Sequence, residues 1–148
     1  MKNIVLLFLL VLCSCSNNNE LNPVNIHYGQ DICERCKMII SEERFSSQMI
    51  LKNGEVYNFD DIGGMITYVS ENKINPETAI IYVKDFNTKK WLTSDEAVFI
   101  SLENINSPMN FGLIAVSNNE IAGNIISEHG GKITGSYNDT VNFLRSKK

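Results

Sequence analysis

No apolar run in this chain is long enough to cross a bilayer. Ile4 to Leu12 is nine uninterrupted apolar residues, whereas a spanning helix needs about twenty. No cysteine follows Cys36, and Cys13, Cys15, Cys33 and Cys36 lie in the first quarter of the chain, so no disulfide framework staples the fold. Only two histidines, His27 and His129, are present. There is no G-x-S-x-G, no H-E-x-x-H and no glycine-rich phosphate loop, which removes the signatures of serine hydrolases, zinc proteases and nucleotide binders. Basic residues are not in excess: 17 acids face 13 bases, a net charge of −4, without a basic stripe, and nucleic acid is excluded as a partner. What is present is a globular composition, 43% hydrophobic, 20% charged and 9% aromatic. Collagen-like, coiled-coil and disordered chains do not have this profile. At 148 residues the chain suits one compact domain.

The apolar run after Lys2 matches the core of a secretory signal. Leu12-Cys13-Ser14-Cys15 then resembles a bacterial lipobox, an aliphatic residue and two small ones before the cysteine that is acylated. Residues 1–14 are read as a lipoprotein signal peptide, Cys15 as the lipidation site and 15–23 as a polar tether. The alternative is an ordinary signal peptide with an incidental cysteine. Cleavage removes Lys2 and no acid, leaving a net charge of −5. The expected location is extracytoplasmic, on a bacterial membrane. There, paired thiols oxidise unless a metal or a partner protects them.

In the body, Phe45–Leu51 and Val56–Phe59 flank Lys52-Asn53-Gly54-Glu55, a hairpin signal that predicts a type I′ turn at Asn53-Gly54. Asp60 or Asp61 is expected to cap a helix carrying Ile62, Met65, Ile66 and Val69 on one face. Ala79–Val83 and Gly112–Val116 read as strands, and Ser117 with Glu120 fits a capping box for a helix ended by Gly130-Gly131. Lys132–Thr134 reads as a further strand and Asp139–Arg145 as a last short helix. Strand–helix–strand thus occurs twice, at 56–83 and 112–134, which suggests a structural repeat.

Asp31-Ile32-Cys33-Glu34-Arg35-Cys36-Lys37-Met38 places two thiols and a thioether within six residues. Thiolate and thioether are soft donors and together favour Cu(I), while zinc sites seldom recruit methionine and no second ligand pair completes one here. A plain structural disulfide and a redox dithiol remain open, as does a core-filling role for Met38. Redox pairs usually sit at a helix N-terminus after a strand, and Ile26–Ile32 is a poor strand. Met109, just after Pro108 in a loop entering a strand, is a second candidate ligand, with packing under a turn as the alternative. Met49 and Met65 belong to periodic runs and are expected in the core; His27 and His129 are expected at the surface or at caps. Catalytic work by Asp60 and Asp61 would need a cleft partner that the sequence does not show.

Taken together, the chain resembles the NosL family of lipoprotein copper chaperones associated with nitrous oxide reductase. The resemblance rests on the lipobox at Cys15, Cys33 to Ile40, Arg44 to Gln48, Gly54 to Met65 around Phe59-Asp60-Asp61-Ile62-Gly63, Tyr82 to Asp85, Ala97, Ser107-Pro108-Met109 and Gly130-Gly131. It implies an α+β fold of two related β-β-α-β units with small mixed or antiparallel sheets, here about 24–84 and 85–148. It implies no enzyme activity, Cu(I) held by cysteine and methionine sulfur, and delivery of copper to nitrous oxide reductase or its assembly machinery. Cys36 and Met38 match the family's Cys-Gly-Met segment, Met109 its Pro-Met segment, and Cys33 a position that varies more. Lys37 stands where the family usually has glycine, and Gly64 where many members have cysteine.

The processing reading has a direct check. The mature protein is expected to begin at Cys15 and carry lipid, visible by mass spectrometry of the membrane fraction. Cys15→Ser is expected to block maturation or release the protein; an unmodified N-terminus at another residue would refute the lipobox.

Overall fold

The computed structural model describes residues 21–147. The signal segment 1–14 and the lipidation site Cys15 lie outside the described residues. The first unit is β1 (Ser47–Leu51), β2 (Val56–Phe59), α1 (Ile62–Glu71) and β3 (Ala79–Lys84), with β4 (Trp91–Thr93) added at the outer edge of the same sheet. The second is β5 (Val98–Ser101), β6 (Leu113–Val116), α2 (Asn119–His129) and β7 (Lys132–Gly135), followed by α3 (Tyr137–Ser146). Strand order is β2-β1-β3-β4 in one sheet and β6-β5-β7 in the other, so in each β-β-α-β unit the first strand lies between the next two. Every pairing within the two sheets is antiparallel, which gives the α+β fold expected of the sequence.

Local chemistry accounts for the elements. Ile62, Met65, Ile66 and Val69 recur at helical spacing, and all four are buried in one core with Met49, Phe59, Ile81 and Val83 of the first sheet. That core also takes in Phe99, Leu113, Ala115 and Tyr137. Residues of the opposite parity, Ile100, Ile114 and Val116, pack instead with Ala122 and Ile125 of α2. Strand β6 is therefore buried along its whole length, as its unbroken apolar run Leu113–Val116 requires. Met49 and Met65 are core residues, as expected. The units are stitched by a parallel bridge between Asp85 and Ala115 and by Asp85, which accepts from Ser117 N at 3.0 Å. Ahead of β1, the Tyr82 hydroxyl donates to Leu21 O at 3.0 Å, and Val24 N donates to Gln48 Oε1 at 2.8 Å.

Two local expectations are corrected. The β1–β2 hairpin forms, but Asn53 is not at positive φ, and only Gly54, at φ 89°, is left-handed there. Gly54 N donates to Leu51 O and Leu51 N to Glu55 O, the pattern of a type I turn followed by a bulge glycine rather than a type I′ turn. The third loop residue lets the Asn53 side chain accept from Glu55 N at 3.1 Å. At α2 the cap is Asn118, not Ser117: its side chain accepts from Ile121 N at 2.9 Å, so the helix starts one residue later and no Ser117–Glu120 box forms. Asparagine caps as well as serine does. Helix α3 has a capping box, made by Ser136 and Asp139.

Only Gly54 in the hairpin needs positive φ, so Gly54→Val is expected to destabilise by about 1 kcal/mol or more. Urea unfolding of the variant measures this, and wild-type stability would contradict the turn geometry.

Candidate functional site

The site starts from a tight turn. Cys33 N donates to Met38 O at 2.8 Å and Lys37 N to Cys33 O at 3.0 Å, closing Cys33–Met38 into a loop whose base is an Ile32–Ile39 bridge. Closure requires a left-handed residue before Met38. Lys37 adopts it, at φ 60°, so lysine takes a conformation that glycine would reach more easily. Its ammonium is held by Glu34 at 2.8 Å.

The turn points its cysteines inward, against the end of β2. Cys33 is fully buried, and burial pushes its thiol up to about 12. Cys36 is half-buried, and its thiol donates to Asp60 Oδ2 at 3.5 Å. Both cysteines are free thiols. Cys33 Sγ, Cys36 Sγ and a carboxylate oxygen of Asp60 all lie within 4.8 Å of one another. Asp60 is 2% exposed, and its other oxygen, Oδ1, is buried with no hydrogen-bond partner among the described residues. A buried carboxylate oxygen without a donor is costly, and a bound cation would satisfy it.

The neighbouring Asp61 has a different task. Its Oδ1 accepts from Gly63 N at 2.8 Å and Gly64 N at 3.3 Å, capping α1. Its Oδ2 accepts from Ser107 Oγ at 2.5 Å and Met109 N at 3.1 Å. One carboxylate thus binds the helix of the first unit to the β5–β6 loop of the second. Burial pushes the Asp61 carboxyl above the usual range, against the opposing pull of its donors. The native state therefore takes up this proton more readily than the unfolded chain, and acid does not unfold the protein through Asp61.

Pinned in this way, the loop lays Met109 on α1. A Cβ at Gly64 would sit 2.6 Å from Met109 Sδ, and one at Gly63 would clash with the Phe111 ring. Arg35, midway between the cysteines, reaches the same place: Nη1 lies 4.0 Å from Met109 Sδ, while Nε and Nη2 bond Glu71 at 3.3 and 3.1 Å. The structure therefore brings Cys33 and Cys36 together with Asp60, while Met109 lies on α1 in contact with the tip of the Arg35 side chain. Met38 is 56% exposed, so it does not fill the core. His27 pairs with Asp31 at the surface and His129 ends α2; neither reaches the cysteines' cluster.

Asp60 was missed as a site residue by the sequence reading, which treated the two aspartates as alternatives for one cap. A signal existed: a helix start needs one cap, so one of two adjacent aspartates was left without that task. The spare carboxylate had to face somewhere else.

An α+β domain of two β-β-α-β units, with a cluster of two thiols and a carboxylate just ahead of its first helix, is the class that these features define. The chain belongs to the NosL family, whose model matches residues 23–140. Among solved structures, the copper chaperone NosL from Shewanella denitrificans is similar, with a TM-score of 0.64 at 16% identity over 75% of this chain and 90% of that one. At that identity the likeness is one of fold. No curated protein matches the chain significantly.

The two aspartates are expected to respond oppositely to substitution. Asp61→Ala removes a cap and strands the Ser107 and Met109 donors, for a loss of about 3 kcal/mol in urea unfolding. Asp60→Asn relieves a poorly partnered buried carboxylate and is expected to leave stability equal or higher. A large loss for Asp60→Asn would show that this carboxylate is structural.

Proposed function

We propose that this protein is an extracytoplasmic Cu(I) chaperone, lipid-anchored through Cys15, that delivers copper to nitrous oxide reductase or its assembly machinery. Membership of the NosL family supports the copper reading, and a relative of the same fold is titled a copper chaperone. The observation that carries it is the turn itself, which holds two free thiols side by side, one fully buried and one within reach of solvent. Thiolates at Cys33 and Cys36 take up Cu(I), and the thioethers of Met109 and Met38 are the further soft donors. Cys36 is the ligand that an incoming acceptor reaches first, because Cys33 is fully buried. Transfer proceeds by ligand exchange: an acceptor sulfur or imidazole enters the open position, and the turn's thiolates leave in sequence. The protein does not transform its cargo, so it is a carrier rather than an enzyme.

The rival thiol–disulfide reading finds less support. The cysteines sit on a closed turn rather than in the first turn of a helix, and burial raises the Cys33 thiol instead of lowering it.

Competition titration with a Cu(I) chelating probe, under reducing conditions, tests the proposal. One Cu(I) is expected per chain. Cys36→Ser is expected to lose most affinity, and Met109→Leu less. Met38 is exposed, so Met38→Leu should melt like the wild type, within about 1.5 kcal/mol, while Cu(I) affinity falls. Wild-type affinity in Met38→Leu would leave the site to the cysteines and Met109. Absence of Cu(I) binding in the wild type would refute the copper reading.

A further inference from the structure

The chain enters the fold across the outer face of the first sheet. Met49, Phe59, Ile81 and Val83 point into the core, so their strand neighbours Gln48, Asn58 and Tyr82 lie on the opposite face. Gln48 pairs with Asn58 of β2 on one side and Tyr82 of β3 on the other. Along that row the Tyr82 hydroxyl donates to Leu21 O at 3.0 Å, Val24 N to Gln48 Oε1 at 2.8 Å and Glu34 N to Asn58 O at 2.8 Å. Gln48 is fully buried although it faces away from the core, because the entering segment covers it. Leu21 thus lies over β3, whereas the cysteine turn lies against β2. In the order β2-β1-β3-β4 these are two strand steps apart, about 10 Å at the usual strand spacing. On the Leu21 side, β4 forms the edge and carries Trp91, the chain's single tryptophan. Its ring is half-buried, 6.4 Å from the Tyr82 ring, with Lys84 Nζ 4.2 Å above it. Lys89 and Lys90, just before it, are exposed.

We propose that this edge, Trp91 and Tyr82 with Lys89 and Lys90, rests on the lipid bilayer, and that the cysteine turn is held on the side of the sheet away from it. This rests on the reading above that Cys15 carries lipid. Cys15 is six residues before Leu21, and six residues reach at most about 20 Å. A domain of this length has a radius of gyration of about 14 Å, so the tether is shorter than the domain is wide. It holds the Leu21 side to the membrane and does not reach round to the far side. Tryptophan and tyrosine rings settle at the boundary between headgroups and acyl chains, and lysine heads reach water while their stems lie on apolar surface. Lys89 also pairs with Glu43 at 3.5 Å, and the exposed acids Asp95 and Glu96 follow β4. Charge there is mixed, so the rings rather than net charge select the surface. An acceptor then reaches Cys36 from the aqueous side without entering the bilayer interface.

The test places the mature chain in phosphatidylcholine vesicles, with lipid at Cys15 checked by mass spectrometry on the same sample. Trp91 emission reports one position without any variant. It is expected to be quenched by lipids brominated near the headgroup, less by lipids brominated near the chain ends, and to be shielded from acrylamide in the water. A double variant, Trp91→Phe with Met38→Trp, moves the single indole to an exposed position of the cysteine turn. There the expected result is reversed, with quenching by acrylamide and none by brominated lipid. Equal lipid quenching at positions 38 and 91 would overturn the orientation. Lipid at Cys15 with Trp91 untouched by either brominated lipid would overturn the docking and leave the anchor standing. Absence of lipid at Cys15 would refute the anchor, and this proposal with it.

Discussion

The carboxylate of Asp61 is the interaction on which the rest of this structure depends. It is fully buried and accepts four hydrogen bonds, two from the first turn of α1 and two from the β5–β6 loop. A buried carboxylate is tolerated only where donors replace its lost water, and here those donors come from both units. The order is local first: α1 needs a cap, Asp61 provides it, and the capped carboxylate then has a second oxygen free to receive Ser107 and Met109. Strand pairing does not place the loop there, since Ser107 and Met109 lie between β5 and β6 and outside both. Without Asp61 the loop would be left with only the packing of Phe111 and Met109 on Gly63 and Gly64 to hold it on the helix.

Asp60 and Asp61 divide two jobs between neighbouring positions. A bend at Asp60, just after β2, separates the two side chains, one set at the helix terminus and the other against the thiols. The cost of burying Asp60 with only weak thiol donors is carried by the fold as a whole. Similar reasoning applies to Lys37, a lysine in a left-handed conformation that closes the cysteine turn. Both residues are strained choices beside the same two sulfurs, while the supporting elements follow ordinary rules of patterning and capping.

That contrast explains what could be read from the sequence. The helical face at Ile62, Met65, Ile66 and Val69, the buried run at Leu113–Val116 and the hairpin around Gly54 were legible because each depends on neighbours within a few residues. The closeness of the Cys33 and Cys36 thiols was legible because the two lie three positions apart in one short turn. Boundaries decided by near-equivalent residues were not: Asn118 and Ser117 are both good caps, and packing chose between them. The hairpin's turn type depended on a third loop residue that the Asn53-Gly54 pair alone does not reveal. The strand β4 at Trp91–Thr93 carries too short a pattern to register, and it exists because β3 offers it an edge. The position of Asp60 against the thiols was hidden because it is set by residues more than twenty positions earlier, and the placement of Met109 by residues more than forty positions earlier.

The absent side chain at position 64 also has a consequence for the loop. Met109 Sδ occupies the space that a Cβ at 64 would enter, so positions 64 and 109 compete for one volume although they are 45 residues apart. Met109 Sδ is the far end of a flexible side chain, so a residue gained at 64 on this turn of α1 would displace the thioether rather than be forbidden. The loop itself would stay seated, because its backbone is held at Met109 N by Asp61, and only the aim of the sulfur would change.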